Sequence, residues 1–307
     1  MYKRQKEYSD EIIDALQKDF GNRDPKSSFL TEIATTIGVL QHAIKNVDKW
    51  TKDEKRPSNV DRPFFIRMLM GFLGSKSYIK YQPLGTVGVI SPWNFPVNLI
   101  LAPLGGIFAA GNRAMIKPSE LTPATSEVTK RMFEAYFDKS EAAVFTGDAE
   151  VGAAFSALPF DHLLFTGGTQ IGKKVMKAAS DNLVPVTLEL GGKSPVIVDE
   201  NADLSDVAKK VMRGKTMNAG QICLAPDYLM LPKGKSEEFA KASNEAISEM
   251  FADLKYNEDY TSVINERHYE RINELVSDAK EKGAEVIQIN PADEDFEQQE
   301  LHKIPPT

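Results

Sequence analysis

The N-terminal part of the chain has the hydrophobic pattern of two helices. Apolar positions recur at helical spacing in residues 8–20, and a Gly-Asn pair ends this pattern. Residues 29–50 are expected to form a second helix. The stretch 51–64 is charged and contains two prolines, which predicts a loop.

From residue 85 onward, short apolar segments alternate with segments of helical length. Strands are predicted at residues 86–90, 113–117, 143–146, 162–166 and 186–189. Helices are predicted near residues 97–111, 122–137 and 171–181, with a shorter one before residue 162. Thr122-Pro123 is expected to begin one of them, with the Thr122 hydroxyl as its cap. The strands show little polar–apolar alternation, so we predict an α/β fold with a Rossmann-like, doubly wound parallel sheet.

A second region follows Gly191-Gly192. Its predicted strands and helices lie at residues 195–198, 226–231 and 284–289, and at Asp203 to about 217, from Ser236 onward and at 268–282. The sequence then stops at Thr307 without a closing element. We therefore expect residues 191–307 to be the first part of an incomplete α/β domain.

Composition and charge narrow the class of protein. The 307 residues carry a net charge of −7 and no long Lys/Arg run, which argues against nucleic acid or an anionic membrane as a partner. The single cysteine excludes an internal disulfide and fits a reducing compartment. The N-terminus lacks a signal-peptide core, and the most apolar run is shorter than the roughly 20 residues of a membrane span. The predicted location is the cytoplasm, and the four scattered histidines predict no metal site.

Two residues in or beside Gly-containing connections are candidates for catalysis. Cys223 lies between a predicted helix and a predicted strand, where a thiolate is accessible in a cleft. A lone cysteine is, however, more often a small buried hydrophobe. Glu189 ends an apolar strand at the sheet edge where ligands bind in open α/β folds. Burial there would suit it to general-base work, whereas its alternative role is to cap the next turn.

Three further turns follow predicted strands. Residues 165–172 contain three glycines, whose backbone N–H groups suit a pyrophosphate, although this is not the G-x-G-x-x-G fingerprint. Two prolines hold a rigid turn that presents Asn94, and an amide is a good oxyanion donor. Lys117 and Glu120 suit the hydroxyls of a ribose. Each turn also has an ordinary structural interpretation, as a strand–helix connection, a loop with a buried Trp93 or a solvated turn.

Taken together, these motifs resemble the aldehyde dehydrogenase superfamily. They occur in that family's order as Pro92-Trp-Asn-Phe-Pro96, Lys117-Pro-Ser-Glu120, Phe165-Thr-Gly167, Leu188-Glu-Leu-Gly-Gly-Lys-Ser-Pro195 and Gly220-Gln-Ile-Cys223. Cys223 follows Glu189 by 34 residues, which is the family's usual spacing. The sequence around Cys223 is most similar to the branch that holds coniferyl aldehyde dehydrogenases and the class 3 or fatty aldehyde enzymes.

The resemblance implies a mechanism and a set of site residues. Cys223 would attack the aldehyde carbon, and Asn94 and the Cys223 backbone N–H would hold the oxyanion. Glu189 would activate water to hydrolyse the thioester. The implied cofactor is NAD, because Glu120 would repel a 2′-phosphate, although this branch often accepts NADP as well. The implied cofactor-binding residues are Trp93, Lys117, Glu120, Thr166, Gly167, Gly168, Gly172 and Leu190.

The resemblance also divides the chain. Residues 1–190 correspond to the dinucleotide-binding domain, with residues 76–84 as part of an oligomerisation arm that implies a homodimer of the full-length protein. Residues 191–307 correspond to the first part of the catalytic domain. Gly168 stands where the family more often has Ser or Asn, so weaker cofactor binding is expected. The sequence lacks the family's Glu-Ile-Phe-Gly-Pro-like segment and is expected to be truncated at both ends.

Three other functions compete with this interpretation. A CoA-acylating aldehyde dehydrogenase generally lacks the hydrolytic glutamate, so Glu189 argues against it. An inactive nucleotide-binding fragment is favoured by the truncation and opposed by the intact Cys223, Glu189 and Asn94. A cysteine hydrolase needs a histidine partner, and His162 lies at the wrong end of its predicted strand. A small aldehyde, aromatic or fatty, is the expected substrate.

Overall fold

A computed structural model describes residues 7–57 and 61–296 of the chain. Its first elements are helix α1 (Ser9–Phe20), helix α2 (Pro25–Ser28), a π-helical segment (Phe29–Ala34) and helix α3 (Thr35–Trp50). The helix predicted at residues 8–20 is confirmed. The second predicted helix begins earlier than residue 29, because Asp24 accepts two backbone N–H groups and Pro25 occupies the first helical position.

The predicted loop at residues 51–64 contains regular structure. Strand β1 (Glu54–Arg56) pairs antiparallel with strand β2 (Ser77–Ile79), and helix α4 (Phe64–Phe72) lies between them in the chain. The loop prediction missed β1 because its three charged residues have no apolar pattern, and only pairing with β2 makes them a strand. None of the nine residues of α4 is buried.

Five parallel strands form the central sheet. They are β3 (Thr86–Ile90), β4 (Arg113–Lys117), β5 (Ala142–Val144), β6 (His162–Gly167) and β7 (Val186–Leu190), in the order β5-β4-β3-β6-β7. After β3, the chain adds β4 and β5 on one side of β3 and then β6 and β7 on the other side. The direction of strand order therefore reverses beside β3, which makes this position the topological switch point of the sheet. The predicted doubly wound parallel sheet is therefore confirmed.

Helices cover both faces of this sheet. They are α5 (Asn98–Ala109), α6 (Pro123–Tyr136), α7 (Ala149–Ser156) and α8 (Thr169–Ser180). Along β6, Leu163 and Phe165 belong to the core beneath α8, whereas Leu164 packs against the core that contains residues of α5 and α6. This alternation shows two hydrophobic cores, one on each face. In the described ranges 7–57 and 61–296, no helix has the length and apolarity to cross a bilayer.

The cap of α6 comes from another helix. Thr122 makes no side-chain hydrogen bond to the start of α6. Instead, Asp19 of α1 accepts the Ala124 N–H at 2.9 Å and the Thr125 N–H at 2.8 Å. The prediction of Thr122 as the cap is wrong, because a carboxylate that lies 105 residues earlier in the chain satisfies these donors. This contact fixes α1 against α6.

The remaining elements follow β7. They are β8 (Ser194–Ile197), α9 (Leu204–Thr216), a 3₁₀ helix (Met217–Gly220), β9 (Pro226–Met230), α10 (Ser236–Met250) and α11 (Glu266–Glu281). β8 and β9 form a parallel pair of their own, and Asp203 caps α9 as predicted. The strand predicted at residues 284–289 is wrong, because a strand needs a partner and none pairs with it in the part of the chain that the structure describes. A domain boundary at residue 190 stays a prediction.

Candidate active site

The carboxyl ends of the central strands bring most of the candidate residues to one edge of the sheet. Ile90, the last residue of β3, lies opposite Lys117 on β4 and Phe165 on β6. On the next pair of strands, Thr166 lies opposite Glu189. Parallel strands all end at the same edge, so the turns that follow them face a common space.

Hydrogen bonds on both sides fix the Asn94 side chain. Its Nδ2 donates to the Gln221 carbonyl at 2.9 Å, and its Oδ1 accepts the Phe95 N–H at 3.1 Å. An amide nitrogen carries two hydrogens, so one N–H of Asn94 is left for a further acceptor. Gln221 precedes Cys223 by two residues. The oxyanion donor predicted from the sequence is thus tied to the loop of the predicted nucleophile.

The loop before Cys223 has an unusual backbone. Asn218 and Ala219 have φ of 50° and 51°, and Gly220 follows with φ of 72°. A left-handed conformation costs a non-glycine residue about 1–2 kcal/mol, so surrounding contacts must hold it. The buried Asn218 amide supplies two, to the Asn94 and Gln221 carbonyls, each at 3.3 Å. The Cys223 thiol beyond this turn is exposed, in the helix–strand connection that the sequence predicts.

Glu189 lies at the end of β7, as predicted, but its side chain is exposed. The expected burial of this carboxylate is therefore wrong in the structure. β7 is one of the two outer strands of the five-stranded sheet, and its residues alternate between half-buried and exposed, with Thr187 and Glu189 on the open side. The carboxylate is accessible to water at the same edge as Thr166.

The loop that follows Glu189 lies against the Cys223 loop. A Cβ atom on Gly192 would lie 2.8 Å from the Cys223 carbonyl oxygen, closer than a real side chain is found. Beside this contact, Lys193 Nζ lies 2.9 Å from Asp227 Oδ1. The absence of a side chain at Gly192 therefore lets the backbones that carry the two predicted catalytic residues touch.

Lys117 is the most buried of the proposed cofactor-binding side chains. It is 2% exposed, donates to the Pro118 carbonyl at 2.7 Å and lies 3.7 Å from the Glu120 carboxylate. Burial lowers the pKa of Lys117, and the nearby Glu120 opposes this shift. The Lys117 carbonyl also accepts the Ser91 N–H at 3.0 Å, which joins this strand end to the Asn94 turn.

The glycines at the end of β6 and the start of α8 differ in their surroundings. A Cβ atom on Gly168 would meet nothing within 4 Å, so the start of α8 is open to a ligand. A Cβ on Gly172 would lie 2.8 Å from Leu190 Cδ2, and one on Gly167 would lie 2.5 Å from Phe165 Cζ. Gly172 therefore allows α8 to pack closely on β7, which sets the position of the helix N-terminus.

Trp93 packs against aromatic side chains, as is expected if its turn is an ordinary loop. Its ring lies 6.3 Å from the Phe20 ring and 5.2 Å from the His268 ring, measured between centroids. Burial lowers the pKa of His268, and Arg271 and Arg267 act in the same direction. A contact between Trp93 and a cofactor stays a prediction.

A buried ion pair behind the Asn94 turn was missed at the sequence level. Arg23 Nη2 lies 2.9 Å from Glu32 Oε1, and Arg23 Nη1 donates to the Asn94 carbonyl at 3.0 Å. Glu32 Oε2 accepts the Val97 and Asn98 N–H groups at 3.1 and 2.8 Å. Burial raises the pKa of Glu32 and lowers that of Arg23, while their mutual attraction opposes both shifts. A glutamate within a largely apolar helical stretch was the available signal.

We expect Glu32→Ala to lower the free energy of unfolding by about 3–5 kcal/mol, because it leaves Arg23 buried without its partner. The matched control is Glu11→Ala, which breaks an exposed Glu–Arg pair of 2.7 Å with Arg131 and should cost at most about 1 kcal/mol. Urea unfolding measures both values. Equal losses in the two variants would contradict the role given to burial.

The two adjacent glycines after β7 give a second matched comparison. We expect Gly192→Ala to destabilise the protein by about 1–3 kcal/mol, because its methyl group would overlap the Cys223 carbonyl. Gly191→Ala should be neutral or slightly stabilising, since a Cβ there meets nothing within 4 Å. Urea unfolding of both variants tests this, and a neutral Gly192→Ala would refute the close approach of the two loops.

Sequence comparisons show which proteins the chain is similar to. A model described as the aldehyde dehydrogenase family matches residues 1–307. A probable coniferyl aldehyde dehydrogenase from Caulobacter vibrioides is 56% identical over 297 residues, which cover 97% of this chain and 60% of that relative. A coniferyl aldehyde dehydrogenase from Pseudomonas sp. HR199 is 50% identical over 296 residues, which cover 96% and 59%. The chain thus spans about 60% of the length of these curated relatives.

Solved structures show the same fold. A substrate-bound state of Staphylococcus aureus AldH has a TM-score of 0.83 and 39% identity, over 91% of this chain and 59% of that one. A betaine aldehyde dehydrogenase from the same species, solved with NAD+, has a TM-score of 0.79 and 26% identity, over 94% and 56%. With the family model matched from end to end, the chain belongs to the aldehyde dehydrogenase family.

Proposed function

We propose that the protein oxidises an aldehyde to the carboxylic acid with NAD(P)+, using Cys223 as nucleophile. The observation that carries this proposal is the hydrogen bond that Asn94 Nδ2 donates to the Gln221 carbonyl at 2.9 Å. It fixes an oxyanion donor to the loop of an exposed thiol, and an acyl-transfer site needs these two groups together. The loop after Glu189 packs against the same loop through Gly192.

The first step forms a covalent bond to the protein. The Cys223 thiolate attacks the aldehyde carbon, and the C=O electron pair moves onto the oxygen to give a thiohemiacetal oxyanion. The remaining N–H of Asn94 and the backbone N–H of Cys223 donate to this oxygen. Asn94 costs no reorganisation at this moment, because its amide is already fixed by Gln221 and Phe95.

The later steps release the acid. When bound, NAD(P)+ supplies a hydride acceptor, so that the thiohemiacetal on Cys223 becomes a thioester. Glu189 removes a proton from water, and the resulting hydroxide attacks the thioester carbon. The C–S bond then breaks, which regenerates the Cys223 thiolate and leaves the carboxylic acid. The exposure of Glu189 gives water direct access to this carboxylate.

The residues present fit a dinucleotide in the domain of residues 1–190. The open surroundings of Gly168 leave the N-terminus of α8 accessible to a pyrophosphate. We assign Gly167 and Gly172 to the same turn on the family resemblance. Lys117 and Glu120 would hold the adenosine ribose, and the Glu120 carboxylate disfavours a 2′-phosphate, which supports NAD over NADP. We assign Thr166, Leu190 and Trp93 to the surroundings of the nicotinamide on the family resemblance.

For the substrate we propose an aromatic aldehyde of the coniferyl type, with fatty aldehydes as the second class. The names of the two relatives with 56% and 50% identity support the aromatic class.

We place the reaction in the cytoplasm, because Cys223 must stay a free thiol. Cell fractionation followed by thiol labelling of Cys223 tests this location.

Trapping the thioester tests the chemistry. We expect NADH formation, measured at 340 nm, from coniferyl aldehyde and NAD+, and none with Cys223→Ala. Glu189→Gln should slow turnover by about 10²–10⁴-fold and accumulate an acyl adduct on Cys223, seen by intact mass spectrometry. Glu200→Gln, an exposed glutamate in the turn after β8, is the control and should behave as the unmodified chain. Turnover that persists in Cys223→Ala would rule out this mechanism.

We further propose that α4 and the β1–β2 ribbon form a contact between two copies of the protein. No residue of α4 is buried, Phe72 is 89% exposed, and β2 lies in the predicted arm at residues 76–84. Phe72→Asp should therefore reduce the mass of the chain in light scattering from dimer to monomer. Leu183→Asp changes a residue that is also 89% exposed and should leave the dimer intact. A chain that is monomeric without either substitution would disprove this contact.

A further inference from the structure

Gln221 belongs to the motif Gly220-Gln-Ile-Cys223, and the proposed mechanism gives its side chain no part. This side chain is half-buried, and all of its hydrogen bonds are made to main-chain atoms. These three bonds include no neighbouring side chain, and the proposed chemistry does not bring Gln221 to the substrate. A residue of this kind acts through the backbone that it holds.

The amide of Gln221 joins two separate segments of the chain. Its Nε2 donates to the Asn218 carbonyl at 2.9 Å and to the Ser262 carbonyl at 3.0 Å, and its Oε1 accepts the Ile264 N–H at 3.0 Å. Residues 260–264 are all buried, with exposed fractions of 0–7%. Both donors of Nε2 are used, so the side chain cannot rotate without breaking three bonds.

The main chain of the same residue holds the oxyanion donor. The Gln221 carbonyl accepts Asn94 Nδ2 at 2.9 Å and Asn218 Nδ2 at 3.3 Å. The position of this carbonyl therefore decides where the second N–H of Asn94 points. The carbonyl is fixed in turn by the three bonds of its own side chain, because main chain and side chain share one Cα atom.

We propose that Gln221 is a positioning residue, which sets the direction of the Asn94 donor relative to Cys223 by anchoring the nucleophile loop to the buried segment 260–264. This inference rests on the proposed function for its kinetic consequence. A displacement of about 1 Å in such a group is enough to cost roughly 100-fold in rate. The structural part, which concerns the Asn94 side chain alone, does not depend on turnover.

The first test observes the Asn94 side-chain amide by nitrogen–proton NMR, with its signal assigned by its loss in Asn94→Ala. Gln221→Met keeps a similar length but removes all three side-chain hydrogen bonds, and we expect the Asn94 signal to move. Gln41→Met, which changes an exposed glutamine of α3, should leave that signal in place. An unmoved Asn94 signal in folded Gln221→Met overturns the proposal, whether or not the chain turns over aldehyde.

A second variant covers the case in which Gln221→Met fails to fold, as judged by circular dichroism. Gln221→Glu retains the acceptor for the Ile264 N–H but cannot donate to the Asn218 and Ser262 carbonyls when ionised. The same movement of the Asn94 amide signal is expected. A signal at its original position in Gln221→Glu counts against the proposal in the same way.

The kinetic test is a double-mutant cycle with coniferyl aldehyde. We expect Gln221→Met to lower kcat by about 100-fold with KM changed by less than about threefold, as an altered oxyanion donor should do. Gln221→Met combined with Asn94→Ala should be no slower than Asn94→Ala alone, because Gln221 acts through Asn94. The same fold-loss from Gln221→Met in both backgrounds would show an effect independent of Asn94 and overturn the proposal.

Discussion

The buried pair of Arg23 and Glu32 is the interaction on which the oxyanion turn depends. Taking two charges out of water costs several kcal/mol per ion, and their attraction offsets this only when further hydrogen bonds complete both groups. Here those bonds go to the Asn94 carbonyl and to the N–H groups of Val97 and Asn98. An apolar replacement of equal volume would leave the Val97 and Asn98 N–H groups without a partner and the Asn94 carbonyl with only the longer bond from Asn218. The pair therefore contributes a defined turn geometry, in which the Asn94 amide has one orientation, more than it contributes net stability.

Local chemistry explains what the sequence predicts correctly. The five parallel strands follow from short apolar runs, and the turn at Asn94 follows from two prolines, since in both cases the signal and the structure occupy the same few residues. The wrong predictions concern features that are decided by residues distant along the chain. Thr122 has the hydroxyl of a helix cap, but Asp19 reaches the same N–H groups from another helix. Glu189 ends an apolar strand, and its exposure depends on the position of that strand at the outside of the sheet, which tertiary structure alone determines.

Two adjacent glycines of the site show the same difference between local sequence and tertiary environment. Gly191 and Gly192 have equal local properties in the sequence, yet a side chain fits at the first and overlaps the Cys223 carbonyl at the second. Asn218 and Ala219 show the reverse case, in which two residues without glycine's freedom hold a left-handed conformation. Their strain is sustained because the Asn218 amide and the Gln221 side chain bond the turn from both sides. Close backbone contact and supported strain thus define the loop that carries the nucleophile.

The Asn94 turn and the Cys223 loop are both connected to the residues that directly follow α1. Asn22 accepts the Ser262 N–H at 2.9 Å and donates to the Tyr260 carbonyl at 2.6 Å, while its neighbour Arg23 holds the Asn94 carbonyl. Gln221 then binds the same segment at Ser262 and accepts Asn94 on its own carbonyl. The contacts close a ring in which bonded residues are separated by 41 residues, for Gln221 and Ser262, to 240 residues, for Asn22 and Ser262. Loop closure over such distances is unfavourable until the partners are all in place. The position of the oxyanion donor relative to the thiol loop therefore depends on the contacts that Asn22 and Arg23 make with segment 260–264 and with the Asn94 turn.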